Sequence, residues 1–150
     1  IKSFDDNGIK RVDYIIANHG EQDHSGSIPA MLEKFPEAIV ITNAVCANNL
    51  KGMLLIPEDK IKIIKNDEFL NAQISQIYIN ENHEIELAPI VGNHIILYGK
   101  VSISQRENEI MNMKFDNVKS LYINGFSKMG WNKYSTVNLK YGNEIPCKKR

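Results

Sequence analysis

Three short apolar runs that alternate with helix-like segments constrain the fold of this chain more than any other feature of its sequence. Residues 12–18, VDYIIAN, are mainly β-branched and aromatic and are bounded by polar residues, as in a mostly buried strand. Two further strands are expected at residues 38–43, AIVITN, and near residues 60–65, KIKIIK. Strand, helix, strand with short connections predicts a right-handed βαβ unit in a parallel or mixed sheet.

Each connection between these runs carries helix signals. Ser27 stands where a helix N-cap is expected, Pro29 follows in the first turn, and Pro36 ends the segment. A second, weaker helix is expected over residues 44–55, interrupted by Gly52. The apolar residues of the first segment have the spacing of one buried helix face, namely Ile28, Met31, Leu32 and Phe35.

After residue 60 the sequence has more strand than helix character. Residues 105–115, QRENEIMNMKF, fit either a helix or an exposed connection. No repeat or linker separates the two halves, so a single domain over residues 1–150 is expected. The segments rich in β-forming residues are 72–80, 93–104, 118–124 and 134–142.

Composition excludes several functional classes. The chain has 150 residues, a net charge of zero and no basic block, which argues against a nucleic-acid or membrane partner. Its two cysteines, Cys46 and Cys147, lie far apart, which argues against a disulfide framework and fits a cytoplasmic location. No apolar stretch approaches the roughly 20 residues that span a bilayer. The chain opens with IKSFDDNGIK, without methionine, and we expect this start to be internal to a longer protein.

A dense group of metal-binding residue types directly follows the first expected strand. His19, Glu21, Asp23 and His24 lie within six residues. Because the carboxyl ends of strands are where α/β proteins usually assemble sites, this position favours a functional role. In an extended loop the alternate residues His19, Glu21 and Asp23 would point the same way, with Gly20 allowing a bend. Imidazole and carboxylate suit iron, manganese or zinc, whereas the alternative is a solvated turn.

Residues 13–50 carry a specific family resemblance. The motif H-x-E-x-D-H-S-G-S-[IL]-P runs without a gap from His19 to Pro29 and resembles that of the flavodiiron proteins, or A-type flavoproteins, which have the metallo-β-lactamase fold. The likeness continues to about residue 70. It implies a partial, metallo-β-lactamase-like αββα domain, α/β with a mixed sheet and flanking helices. Residues 1–70 would be family-like and residues 71–150 divergent or disrupted.

The resemblance also implies a site and an activity. His19 and Glu21 would bind one iron and Asp23 the other, with His24 beside the metals. Glu21 stands where hydrolases of this fold have a second histidine, which favours a diiron over a dizinc centre. Such a centre reduces dioxygen or nitric oxide. Its electrons come from FMN in a flavodoxin-like domain, typically of the partner subunit in a homodimer, and a rubredoxin-like protein is a further expected redox partner.

The second half departs from this family. The later histidine and aspartate ligands have no recognisable counterpart, and no flavodoxin phosphate loop is present, so FMN binding within this chain is not expected. His83 is expected to be a solvated turn residue, His94 to flank a strand, and Asp116 to lie in a turn. We therefore expect little reductase activity from the chain alone. The alternatives are a metal-dependent hydrolase of the same fold, in which Asp23 orients the nucleophile, and a non-catalytic remnant.

Overall fold

The computed structural model of this protein has a mixed α/β fold, in which two β-sheets are flanked by helices. The chain divides into two compact units, Ile1–Asn66 and Asp67–Arg150, and each is treated by itself below. None of the described helices is long and apolar enough to cross a membrane. The structure describes residues 2–64, 68–100, 105–142 and 144–150.

The first unit is built on a three-stranded parallel sheet. Its strands are β1 (Tyr14–Ala17), β2 (Ile39–Thr42) and β3 (Ile61–Ile63), in the order β1-β2-β3. Tyr14 pairs with Ile39 at the start of the register. All four residues of β2 are buried, as expected for the central strand. The predicted parallel βαβ unit is confirmed, although each strand is shorter than its apolar run.

Five helical segments accompany this sheet. Ser27 occupies the N-cap position of the third, but its side chain makes no capping bond. Asn43 caps the fourth, because its side chain accepts a hydrogen bond from the Cys46 amide at 2.9 Å. The predicted second helix continues through Gly52. The segments are α1 (Lys2–Asp6), α2 (Gln22–Ser25), α3 (Ile28–Lys34), α4 (Ala44–Leu54) and a 3-10 turn (Glu58–Lys60).

The apolar core of the first unit lies between this sheet and its helices. The predicted face of α3 is confirmed, since Ile28, Met31 and Phe35 are buried and Leu32 is partly buried. One buried cluster draws its residues from β1, α3, β2, α4 and the segment after α4. Its members are Ala17, Ile28, Val40, Cys46, Leu50 and Ile56. A second cluster contains Met31, Phe35 and Ala38.

The second unit contains a five-stranded mixed sheet. The β6–β7 pair is parallel, and the other neighbouring pairs are antiparallel. The strands, in their order across the sheet, are β4 (Ile74–Ile79), β5 (Ile85–Pro89), β6 (Ile95–Gly99), β7 (Tyr134–Asn138) and β8 (Cys147–Lys149). The helices are α5 (Glu68–Gln73), α6 (Gln105–Ser120), a π-helix (Leu121–Phe126) and α7 (Ser127–Met129).

The strand predictions for the second unit are correct in part. β4, β6 and β7 lie within predicted segments, whereas residues 101–104 of the second segment lie outside the described residues. The strand-like reading of residues 118–124 is wrong, because they belong to α6 and the π-helix. Asp116 lies exposed on α6 and not in a turn. Buried residues recur along this helical stretch at near-helical spacing, namely Met111, Phe115, Val118, Tyr122 and Phe126.

Candidate metal-ligand loop

The predicted ligand loop leaves the carboxyl end of β1. Hydrogen bonds tie this end to that of β2: the Thr42 hydroxyl donates to the Ala17 carbonyl at 2.5 Å, and the Asn43 amide donates to the Asn18 carbonyl at 3.3 Å. Because β1 and β2 are parallel, the segments that follow these two strands leave the sheet at the same edge. The loop therefore begins from a fixed point, as the sequence predicts.

The loop itself is only partly extended. Residues Gln22–Ser25 form a helical turn, so the predicted alternation of inward-pointing residues is wrong beyond Glu21. The buried Ser25 hydroxyl stabilises this turn by approaching the carbonyls of Glu21 at 2.8 Å and Gly20 at 3.2 Å. Gly20 packs against α4, where a Cβ would lie 2.8 Å from the Asn49 Cβ. Close approach, rather than a bend alone, requires glycine there.

All four predicted ligands lie exposed on this loop. The His19 and His24 rings are 6.3 Å apart between centroids, and His24 Nε2 lies 3.5 Å from the Asp23 carboxylate. The charge of Glu21 affects the pKa of the nearby Cys46 thiol. The pKa of that thiol is raised, first by burial and also by Glu21, while a hydrogen bond with Thr42 opposes the shift. The loop thus places two histidines and Asp23 near one another, and the charge of Glu21 contributes to the raised pKa of Cys46.

These residues have the donor chemistry of a metal site without its geometry. Within the described parts of the chain, no three His, Cys, Asp or Glu side chains are arranged to hold one ion. The four loop side chains therefore do not converge on one ion in this arrangement. A centre at this loop requires rotation of their exposed side chains and donors from outside the group.

The other histidines considered from sequence lie in the second unit. His83 is exposed in the turn after β4 and has a φ of 58°, as expected for a turn residue. His94 immediately precedes β6, as predicted, and is buried. The sequence does not predict its hydrogen-bond partner, because that partner, Tyr122, is 28 positions away in the chain.

Two residues beside the loop were also missed from sequence. Asn43 links the loop to α4 through both its amide and its cap oxygen. Cys46 is buried beneath this region. A local pattern could have identified Asn43. An asparagine directly before a helical run is a preferred N-cap, and its side chain accepts a hydrogen bond from the amide three residues later, here that of Cys46.

Curated proteins similar to part of this chain are named as a flavoprotein, a reductase and an oxidase. The chain is 33% identical over 85 residues, 57% of its length, to "Putative diflavin flavoprotein A 2" of a Nostoc species. It is 32% identical over 60 residues to "Anaerobic nitric oxide reductase flavorubredoxin" of Salmonella arizonae, and 38% over 65 residues to "Coenzyme F420H(2) oxidase" of Methanothermobacter marburgensis, which cover 40% and 43% of the chain. The matches span only 13%, 12% and 16% of these relatives.

A family model gives a longer match of a different kind. It is described as FtsQ/DivIB, C-terminal related, and it matches residues 13–148. That range includes the ligand loop and nearly all of the second unit. Since the match extends over most of the chain, the protein belongs to the FtsQ/DivIB, C-terminal related family.

Proposed function

We propose that this chain contributes the first ligand loop of a flavodiiron-type oxidoreductase and is not a complete reductase. The main support for this proposal is the position of the motif from His19 to Pro29, which lies at the carboxyl end of β1 in a parallel βαβ unit. The names of the partial relatives support the same class. In this proposal residues 1–70 are a family-like portion of a single, partial metallo-β-lactamase-like domain, and residues 71–150 are divergent.

The proposed ligands are His19, Glu21, Asp23 and His24, and the proposed metal is iron. Further donors complete the site from outside this group, since the four side chains do not gather around one point. No reaction step is assigned to these residues. A complete assembly would be a cytoplasmic homodimer, and its metal site would receive electrons from FMN in a flavodoxin-like domain. A rubredoxin-like protein is the further proposed redox partner.

The names of the relatives restrict the proposed substrate. One relative is named as a nitric oxide reductase and another as an oxidase of a reduced coenzyme. We therefore propose dioxygen or nitric oxide as the electron acceptor of the complete assembly. Both are small neutral molecules that bind at a metal, so the chain need not provide a large substrate pocket.

Anaerobic titration with Fe(II) tests the proposed ligand loop. The complete chain should bind iron, and His19→Ala or Glu21→Ala should weaken binding by about tenfold or more. His83→Ala is the matched control, because it removes an exposed histidine from a turn in the second unit and should leave binding unchanged. Full occupancy in both loop variants, or no binding by the parent chain, would contradict the proposal.

A non-catalytic module is the second candidate function. The observation in its favour is that the family match over residues 13–148 extends across both units, whereas the oxidoreductase relatives match only 60 to 85 residues. The same titration separates the two candidates. Iron that depends on His19 supports the oxidoreductase assignment, and a chain that binds no iron supports the module.

A further inference from the structure

A buried histidine in the second unit belongs to none of the functions considered above. His94 is 1% exposed and directly precedes β6. Its Nε2 lies 2.6 Å from the Tyr122 hydroxyl, which comes from the π-helix. The His94 ring also meets the rings of Tyr122 and Phe126 edge-on, at centroid distances of 5.6 and 5.1 Å. One polar contact therefore joins the start of a strand to an irregular helix inside an aromatic environment.

Further aromatic side chains pack around the two rings that contact His94. Trp131 packs edge-on against Tyr122 at 5.2 Å and Phe126 at 5.8 Å, and Phe126 stacks on Tyr134 at 5.7 Å. Tyr122 and Phe126 are each 1% exposed. Water therefore has little access to the histidine, and any charge on its ring must be stabilised by the protein.

The backbone at Gly92 allows the histidine to sit this deeply. Gly92 has a φ of 83°, and a Cβ there would lie 2.8 Å from His94 Nδ1 and 2.9 Å from the Trp131 carbonyl oxygen. Nδ1 is buried and faces this carbonyl without a well-formed hydrogen bond. In the tautomer whose Nε2 accepts from Tyr122, Nδ1 carries the ring proton toward this carbonyl, which favours the charged ring and opposes the larger effect of burial on the pKa of His94.

Among the described residues, the charged group that acts on His94 is a cation, Arg150. Arg150 donates from its guanidinium to the Asn93 carbonyl and disfavours a positive charge on the histidine. Lys133 lies over the Tyr134 ring at 5.8 Å. Lys119, at the end of α6, lies over the ring of Phe69, which in turn packs on Tyr122. None of the described groups that act on the pKa of His94 is a carboxylate.

We propose that His94 is an acid-sensitive latch, which holds the start of β6 to the π-helix while it is neutral and releases it when protonated. In the neutral ring Nε2 accepts the Tyr122 hydroxyl proton. Protonation makes both ring nitrogens donors, so the Tyr122 hydroxyl proton loses its acceptor, and the buried charge meets no carboxylate among the described groups that act on it. Loss of this contact loosens the aromatic cluster around Trp131.

The direction of the pH effect follows from burial. Burial, aided by Arg150, holds the pKa of His94 below its ordinary value of 6.5. The unfolded chain therefore takes up a proton at a higher pH than the folded chain does. Stability is fully present above about pH 6.5 and is lost as pH falls toward the lower pKa of the folded state. Across that interval the unfolding equilibrium constant should rise by up to about tenfold per pH unit.

Trp131 provides the measurement, because it is the only tryptophan of the chain and lies in this cluster. Urea unfolding of the full chain followed by tryptophan fluorescence, from about pH 8 to about pH 5.5, should show the midpoint falling with pH. His94→Gln should flatten this dependence, and Arg150→Gln should weaken it, because loss of the positive charge raises the pKa of His94 in the folded chain toward its ordinary value. His83→Asn, at the exposed turn histidine, should keep the parent dependence.

A second measurement keeps the proposal testable if His94→Gln does not fold. Ring resonances of the parent chain should show a titration of His94 below 6.5, assigned by comparison with the Tyr122→Phe variant, in which the chemical shift of His94 changes. A titration of His94 at its ordinary value, or a urea midpoint of the parent chain that does not vary over this pH range, would overturn the latch.

Discussion

Single hydrogen bonds at strand ends decide where the ligand loop begins. Thr42 is fully buried, and its hydroxyl joins the end of β2 to the Ala17 carbonyl of β1. The same hydroxyl bonds the Cys46 thiol beneath the loop. Thr42 therefore connects the sheet, α4 and the loop through one polar atom, and its contribution is not replaced by an apolar side chain of equal shape.

Replacement of this hydroxyl gives the first prediction. Thr42→Val keeps the shape of the side chain and should lower the free energy of unfolding by about 1 kcal/mol, because the Ala17 carbonyl loses a buried donor. Urea unfolding followed by far-UV circular dichroism measures the change. Thr136→Val makes the same substitution at a half-buried position of β7 and should have a smaller effect. Equal losses in the two variants would contradict this reasoning.

Residue-level prediction from sequence succeeded where a pattern was local. The buried face of α3 and the strand-flanking position of His94 were predicted correctly. The inward alternation of the loop was not, because Ser25 turns its own hydroxyl back to preceding carbonyls and winds residues 22–25 into a helical turn. The contact between His94 and Tyr122 depends on tertiary packing that no spacing rule encodes.

At the scale of elements, α4 shows how little one glycine disturbs a helix with a buried face. Gly52 lies inside α4, and a Cβ there would meet nothing within 4 Å. Leu50, two residues earlier, is fully buried in the core cluster of the first unit. Tertiary packing of this face, rather than intrinsic propensity, therefore holds the helix through the glycine.

Gly52→Ala is the prediction that follows for this helix. It should raise the free energy of unfolding by about 0.5 to 1 kcal/mol, because alanine loses less backbone freedom on folding and fits the open space. Gly20→Ala is the contrasting variant. Its Cβ would lie 2.8 Å from the Asn49 Cβ, so it should destabilise the chain. Thermal and urea unfolding of both variants test the pair, and a stabilised Gly20→Ala would refute the assigned packing.

Element prediction was better in the first unit than in the second for a physical reason. A parallel βαβ unit buries its strands on both faces, so their sequences are continuous apolar runs that are easy to identify. The second unit has short, mainly antiparallel strands with partial alternation, and β5 and β8 were not predicted. Residues 118–124 contain β-branched and aromatic residues, yet packing of their apolar face in α6 and the π-helix overrides that preference.

At the scale of the whole molecule, the two kinds of comparison describe different extents of the same chain. The family match runs over residues 13–148, whereas the oxidoreductase relatives match at most 85 residues among those named here. The ligand motif accounts for a resemblance of limited extent, because a metal loop needs only a strand end and the following helix. Its presence alone does not require the remainder of such an enzyme.

The acid stability of the molecule should divide into two pH intervals. The first belongs to His94, below its ordinary pKa of 6.5. The second belongs to Glu84, whose carboxylate lies 2.9 Å from the Lys140 ammonium. The hydrogen bond from Lys140 holds the pKa of Glu84 below its ordinary value of 4.5, so the stability contributed by this pair is present above that value and is lost as pH falls through the lowered pKa.

Glu84→Gln should remove the second interval and leave the first unchanged. The amide does not titrate, so the slope of stability against pH below about 4.5 should become shallower, while the loss between neutral pH and about pH 5.5 remains. Glu81→Gln is the matched control, because Glu81 is an exposed carboxylate in the turn that precedes Glu84. Urea unfolding across both intervals measures the slopes. If Glu84→Gln instead flattened the interval near neutral pH, the pair and the histidine would titrate as one coupled group, and the assignment of separate intervals would fail.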